Sequence, residues 1–166
     1  MININTCVLQ VEDESNDIYL LEYSFREICV TTPLKAVRDG QEAIDYLSGA
    51  GKYADRTEFP LPCLTLLDLK MPRKSGFEVL EWIRAYPVTS ALPVIICSSS
   101  ANESDIRAAY KLGANAYVVK PSNVDVLRMD TFVCSLRPPF GINCWPRRKI
   151  QSQPGNPMPG ASPGLG

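Results

Sequence analysis

The sequence predicts an α/β fold in which a doubly wound parallel sheet carries helices on both faces. Three observations lead there. Short runs rich in Val, Ile and Leu recur along the chain, as strands of a sheet buried on both sides do. Helix-length amphipathic stretches separate them. Four of the runs also end on a residue able to bind a phosphoryl group or a metal ion: Val8 to Val11 leads into Glu12 and Asp13, Leu64 to Leu67 into Asp68, Val94 to Cys97 into Ser98, and Tyr117 to Val119 into Lys120. In open parallel sheets the binding crevice lies outside the carboxyl ends of the strands, where strand order reverses. Three carboxylates, a hydroxyl and an ammonium would therefore share one rim.

Each element follows in order. After the first strand, Ser15 or Asn16 is placed to cap a helix whose Ile18, Leu21, Phe25 and Ile28 recur at helical spacing. Leu34 to Val37 reads as the second strand, and the Asp39-Gly40 turn leads to a helix carrying Ala43, Ile44 and Leu47. Gly49 to Pro62 is a connection too long to be idle in a compact domain. The third strand ends at Asp68. Pro72 and Gly76 mark the turn before a helix with Phe77, Leu80 and Ile83 on its apolar stripe. Leu92-Pro93 opens the fourth strand, and Ser98-Ser99-Ser100 is a polar loop. A helix with Ile106, Ala109, Tyr110 and Leu112 then stops at Gly113, before a fifth strand over 117–119. A last helix is expected over 124–136, ended by Pro138-Pro139.

With 166 residues the chain suits one domain over residues 1–137 and a tail over 138–166. That tail holds seven of the 14 prolines and five of the ten glycines, a composition from which no core or output domain is expected. Formal charge is −1 overall; residues 1–121 carry −4 and 122–166 carry +3, so the body is acidic and no nucleic-acid surface is expected on it. No apolar run reaches the roughly 20 residues of a membrane span, and Met1 to Asn5 resembles no secretory signal, so the expected location is cytoplasmic. Six cysteines form no C-x-x-C pair and read as free thiols. The absence of histidine excludes Ser-His-Asp and Cys-His nucleophiles, a histidine-ligated zinc site and a phosphohistidine on this chain.

Clustered carboxylates raise one another's pKa unless a cation intervenes, and magnesium favours oxygen ligation by one or two carboxylates with water and phosphate. Among the three, Asp68 is the candidate nucleophile, alone at the end of its strand; Glu12 and Asp13 are neighbours that alternate in direction. Lys120 is placed to neutralise phosphoryl charge, and Ser98 to donate a hydrogen bond to a phosphoryl oxygen. Taken singly, each residue has a plainer role: a helix-dipole acid, a surface lysine, a loop hydroxyl, a strand aromatic.

The ordered motifs Val11-Glu12-Asp13-Glu14, Leu67-Asp68-Leu69-Lys70-Met71-Pro72 with Gly76, Leu92-Pro93-Val94-Ile95 with Ser98, and Gly113-Ala114 through Tyr117-Val118-Val119-Lys120-Pro121 resemble the receiver domain of two-component response regulators, over about residues 6–136. The segment from Tyr46 to Pro60 resembles stand-alone receivers associated with bacterial phytochromes. The resemblance implies a flavodoxin-like five-stranded sheet in the order 2-1-3-4-5. It further implies Asp68 as phosphoacceptor, and magnesium held by Glu12, Asp13, Asp68 and the backbone carbonyl of Lys70. Lys120 would pair with the phosphoryl group, and Ser98 and Tyr117 would form the switch. It implies a histidine kinase as partner, of the phytochrome type for this subgroup, and a homodimer through the fourth helix, fifth strand and fifth helix. A cis peptide before Pro121 is also implied. The domain would be a phosphoacceptor that assists its own phosphorylation and dephosphorylation rather than a turnover enzyme. Two alternatives stand beside it: a degenerate receiver that binds partners without phosphorylation, and an aspartyl-phosphate phosphatase of the haloacid dehalogenase type, which needs an acid where Lys70 stands.

Overall fold

The computed structural model describes residues 6–27 and 30–120. Five strands, β1 (Cys7–Val11), β2 (Leu34–Val37), β3 (Pro62–Leu67), β4 (Val94–Ser98) and β5 (Ala116–Val119), form one parallel sheet in the order β2-β1-β3-β4-β5. Four helices, α1 (Ser15–Glu27), α2 (Gly40–Ser48), α3 (Gly76–Ala85) and α4 (Glu103–Lys111), connect them. The strand order reverses between β1 and β3, which opens the crevice there.

Apolar residues on both faces account for the double winding. Leu9, Val11, Leu67 and Ile96 pack against Ala43 and Leu47 of α2, Val79, Leu80 and Ile83 of α3, and Ala109 of α4. Val8, Leu64, Leu66 and Ile95 face Leu21 and Phe25 of α1 on the other side. Every residue of β1 is buried, which is why the strand shows no apolar-polar alternation and Gln10 is its single polar residue. Cys7, Cys63 and Cys97 are free thiols, as expected.

Local chemistry sets the helix boundaries. Asp39 caps α2 by accepting the Glu42 N–H at 2.8 Å, and Ser75 with Glu78 forms a capping box on α3. Helix α1 begins at Ser15 itself, with the Glu14 carbonyl accepting the Ile18 N–H at 3.1 Å, one residue before the expected caps. Tyr110, expected on the inward stripe of α4, is half-exposed, and its hydroxyl accepts the Tyr117 N–H at 3.2 Å.

The connection from Gly49 to Leu61 is tied down throughout. Gly49 takes the left-handed conformation (φ 76°) that ends α2, and Arg56 donates to the carbonyls of Tyr46 and Leu47 at 2.8 Å each. Tyr46, Tyr53 and Phe59 pack with ring centroids 5.0–6.0 Å apart, and the Tyr46 hydroxyl donates to the Pro60 carbonyl at 3.0 Å. The expected last helix, the tail, Cys29, Cys134, Cys144, Ile28 and the peptide before Pro121 lie outside the described residues.

Candidate functional site

Strand register assembles the site. Val11 lies beside Leu67 in the β1–β3 ladder, and the ladder continues one step further: the Asp68 N–H donates to the Val11 carbonyl at 3.1 Å and the Glu12 N–H to the Val37 carbonyl at 3.0 Å. Glu12 and Asp68 therefore emerge side by side. At the other edge Ser98 lies beside Val119, and the Lys120 N–H donates to the Ser98 carbonyl at 2.8 Å. Because β1 ends at Val11, strand alternation no longer separates Glu12 from Asp13. One carboxylate oxygen from each of Glu12, Asp13 and Asp68 comes within 4.8 Å of the others.

Lys120 sits at the centre of this acid cluster. Its ammonium donates to Asp68 Oδ2 at 2.7 Å, to Asp17 Oδ2 at 2.9 Å, and to Glu12 Oε2. Glu12 is 2% exposed, and burial pushes its carboxyl up to about 7 even though Lys120 and the Glu14 N–H favour its charged form. Burial disfavours the Lys120 charge, yet hydrogen bonds to Asp68, Glu12 and Asp17 outweigh it and hold the ammonium above its ordinary range. The acid cluster fits a hard divalent cation, since its ligands are all oxygens and one buried carboxylate is left costly to ionise.

Around this centre the loops are shaped by close approach. The Lys70 N–H donates to Asp68 Oδ1 at 3.2 Å, while the Lys70 side chain points to solvent. Gly76 packs directly on the Asp68 backbone, where a Cβ would lie 2.1 Å from the Asp68 carbonyl oxygen. Arg73 takes a left-handed backbone (φ 66°) and pairs with Asp39 at the start of α2, so strain sits in the loop next to Asp68.

Ser98 is fully buried, and its hydroxyl oxygen accepts the Ser100 N–H at 3.2 Å. The Tyr117 hydroxyl donates to the Ser100 carbonyl at 2.8 Å, and the Ser100 hydroxyl to Asp105 Oδ2 at 2.5 Å in the first turn of α4. Ser98 and Tyr117 thus meet through one residue, Ser100.

Of the residues singled out in the sequence, Glu12, Asp13, Asp68, Lys70, Ser98 and Lys120 lie at the carboxyl end of the sheet or in the loops leaving it, whereas Tyr117 lies within β5 beside Ile96 and reaches the loop after β4 through its hydroxyl. Sequence reasoning missed Asp17, Ser100 and Asp105. Asp17 stands in the first turn of α1, where an acid is ordinarily explained by the helix dipole, so its type and position gave no separate signal.

A family model, the response regulator receiver domain, matches residues 8–131. The chain belongs to this family. The receiver is 36% identical over 123 residues to Response regulator Rcp1 of Synechocystis sp., covering 74% of this chain and 82% of that protein. It is 33% identical to a probable methanogenesis regulatory protein, FilR2, of Methanothrix harundinacea, covering 73% of this chain and 76% of that one. Among solved structures it resembles Mn(2+)-bound Rcp1 (TM-score 0.71, 34% identity, covering 79% of this chain and 93% of that one). It also resembles the phosphorylated cyanobacterial phytochrome response regulator RcpA (TM-score 0.71, 36% identity, covering 78% and 89%). The receiver is thus similar to stand-alone phytochrome response regulators, as the segment after α2 suggested, and its strand order is the one the resemblance implied. No helix among the described residues is long and apolar enough to cross a membrane.

Proposed function

We propose that this receiver accepts a phosphoryl group on Asp68 from the phosphohistidine of a partner histidine kinase, and that the partner is a phytochrome-type kinase. The observation that carries the reading is the pairing of Lys120 with Asp68 at 2.7 Å inside a buried cluster of acids. A carboxylate oxygen of Asp68 attacks phosphorus, the P–O bond forms as the P–N bond breaks, and the electron pair of that bond stays on the departing imidazole nitrogen. The chain has no histidine, so the donor must be another molecule. This is group transfer onto the protein itself, which makes the receiver a phosphoacceptor rather than a turnover enzyme.

Lys120 is the charge partner for the phosphoryl oxygens, reaching the group from the ammonium position it already holds beside Asp68. Ser98 accepts a hydrogen bond and keeps its own hydroxyl proton to donate to the phosphoryl group. Its movement toward that group would release the Ser100 N–H, and Tyr117 bonds the same residue, so the two switch positions are coupled through the loop before α4. Magnesium would be held by Glu12, Asp13, Asp68 and the Lys70 carbonyl, and would neutralise charge on the phosphoryl oxygens. The Mn(2+)-bound and phosphorylated relatives support the metal and the modification, and the phytochrome regulator supports the partner.

The test is incubation with acetyl phosphate and magnesium, read by intact mass. One phosphoryl group should be gained by the wild type and none by Asp68→Asn. Uptake by the variant to the same extent and at the same rate would refute the assignment.

A further inference from the structure

Lys120 has three ammonium protons and three carboxylate partners: Glu12, Asp17 and Asp68. Two of these belong to the acid triad whose oxygens converge within 4.8 Å; Asp17 does not. It reaches the ammonium at 2.9 Å out of the first turn of α1. That turn is pinned to the sheet, because the Asp17 carbonyl accepts a hydrogen bond from Gln10 Nε2 of β1 at 3.3 Å.

We propose that Asp17 is a positioning residue for Lys120, a carboxylate outside the triad that keeps the ammonium directed over Asp68 when a metal and a phosphoryl group engage the other acids. The proposal rests on Asp68 being the phosphoacceptor, and three physical steps lead to it. Lysine carries a flexible four-carbon stem and a point charge, so holding it in one pose costs rotamer entropy. Lys120 also follows the edge strand β5, where its backbone is anchored to a single neighbour, β4. A divalent cation bound by Glu12 and Asp68 would both repel the ammonium and draw down the negative charge that those two carboxylates offer it.

Asp17 is the one partner of the three that keeps its full charge for Lys120 in that state. It retains one N–H and leaves two to turn toward phosphoryl oxygens. The plainer role, an acid complementing the α1 dipole, accounts for a stability effect and for nothing at Asp68.

The experiment compares Asp17→Ala and Asp17→Asn, each alone and combined with Lys120→Met, in the full chain. Phosphorylation by acetyl phosphate with saturating magnesium is followed by intact mass, alongside thermal melts. Asp17 is 29% exposed, so Asp17→Ala should slow uptake modestly, by roughly threefold to tenfold. Asp17→Asn should lie between it and wild type, and neither change should slow Lys120→Met further. A second readout needs no phosphoryl transfer: the Lys120 ammonium signal in 1H–15N spectra, assigned by its loss in Lys120→Met, should persist with magnesium in the wild type and exchange away in Asp17→Ala.

A wild-type or faster rate in Asp17→Ala would overturn the proposal. So would an equal fold loss in the Lys120→Met background, or an ammonium signal unchanged by Asp17→Ala. If the wild type itself takes up no phosphoryl group, the Asp68 reading fails, and the ammonium signal alone decides the role of Asp17. The same signal decides if Lys120→Met proves inert.

Discussion

Replacing Gly76 by alanine puts the loop beside Asp68 to a direct test. Gly76 is the first residue of α3, and its φ is not in the left-handed region, so its own backbone accepts a side chain. Helix propensity alone would favour alanine by up to about 1 kcal/mol. Space opposes it. A Cβ at Gly76 would sit 2.1 Å from the Asp68 carbonyl oxygen, 2.8 Å from Leu69 Cα and 2.9 Å from the Asp68 carbonyl carbon. A comfortable carbon–oxygen contact is about 3.3 Å, so the start of α3 must withdraw from β3 by about 1 Å. These three nearest atoms are all backbone, and none can turn aside as a side-chain tip would.

Overpacking of this kind costs about 1–3 kcal/mol, and more where the obstruction cannot relax, so the net loss should be about 2 kcal/mol. In a domain of this size that corresponds to a fall of roughly 8 °C in Tm. Circular dichroism melts measure it, with Gly51→Ala as the comparison. Gly51 has none of the described residues within 4 Å of where a Cβ would lie but sits at φ 56°, so its cost is conformational only, about 1 kcal/mol. Because the displaced backbone is that of Asp68, phosphorylation should slow in Gly76→Ala and stay near wild type in Gly51→Ala. A Gly76→Ala protein melting at or above wild type would refute the claim that close approach dictates this glycine.

Two further predictions concern stability away from the acid cluster. Thr65 in β3 is fully buried and its hydroxyl has no hydrogen-bond partner among the described residues, so Thr65→Val, which keeps the shape, should raise stability by about 1 kcal/mol; a lower Tm would mean the hydroxyl is satisfied. Burial of Glu42 would raise its pKa, but hydrogen bonds from the Tyr53 hydroxyl, the Arg38 N–H and Lys52 hold it at about 2, below the ordinary 4.5. A depressed folded pKa adds stability that is complete above pH 4.5 and is lost as pH falls toward 2. The gap between wild type and Glu42→Gln, about 1 kcal/mol near neutrality after allowance for solvent screening, should therefore close between those limits. A gap independent of pH from 2 to 7 would show that the charge is not what these donors recognise.

The fold was legible because both faces of the sheet are covered: continuous apolar runs such as Val94 to Cys97 suit few other settings. The triad and Lys120 were legible for a related reason, since each follows such a run and the topology gathers the ends. Residues whose role depends on a partner far along the chain were not. Asp17 meets Lys120 across 103 positions, and nothing in the first turn of α1 distinguishes it from an ordinary dipole acid. Tyr110 kept helical spacing with Ile106 yet lies half-exposed, because its hydroxyl bonds the backbone of β5 and periodicity does not register hydroxyls. The long connection after α2 was recognisable as more than a loop by its length, but the cap that Arg56 places on Tyr46 and Leu47 was not, since an arginine there reads equally well as solvated charge.

The two ends of the same sheet divide the labour of the fold. At the amino end, Arg84 of α3 donates to the carbonyls of Gly113 at 2.7 Å and Leu92 at 2.8 Å and to Asn115 Oδ1 at 3.0 Å, while Asn115 Oδ1 also accepts the Val94 N–H at 2.9 Å. Polar groups there are paired, and the arrangement ties α3, β4 and the turn before β5 into one unit. At the carboxyl end, three acids share one ammonium, Glu12 is pushed toward neutrality by burial, and Arg73 holds a strained backbone. Selection for stability alone would thin out those charges, since a buried acid without full compensation is costly. On the proposed reading, a metal and a phosphoryl group at the rim would make good that deficit, and the well-paired amino end would supply the frame against which a small movement of the Ser98 to Ser100 loop would reach α4.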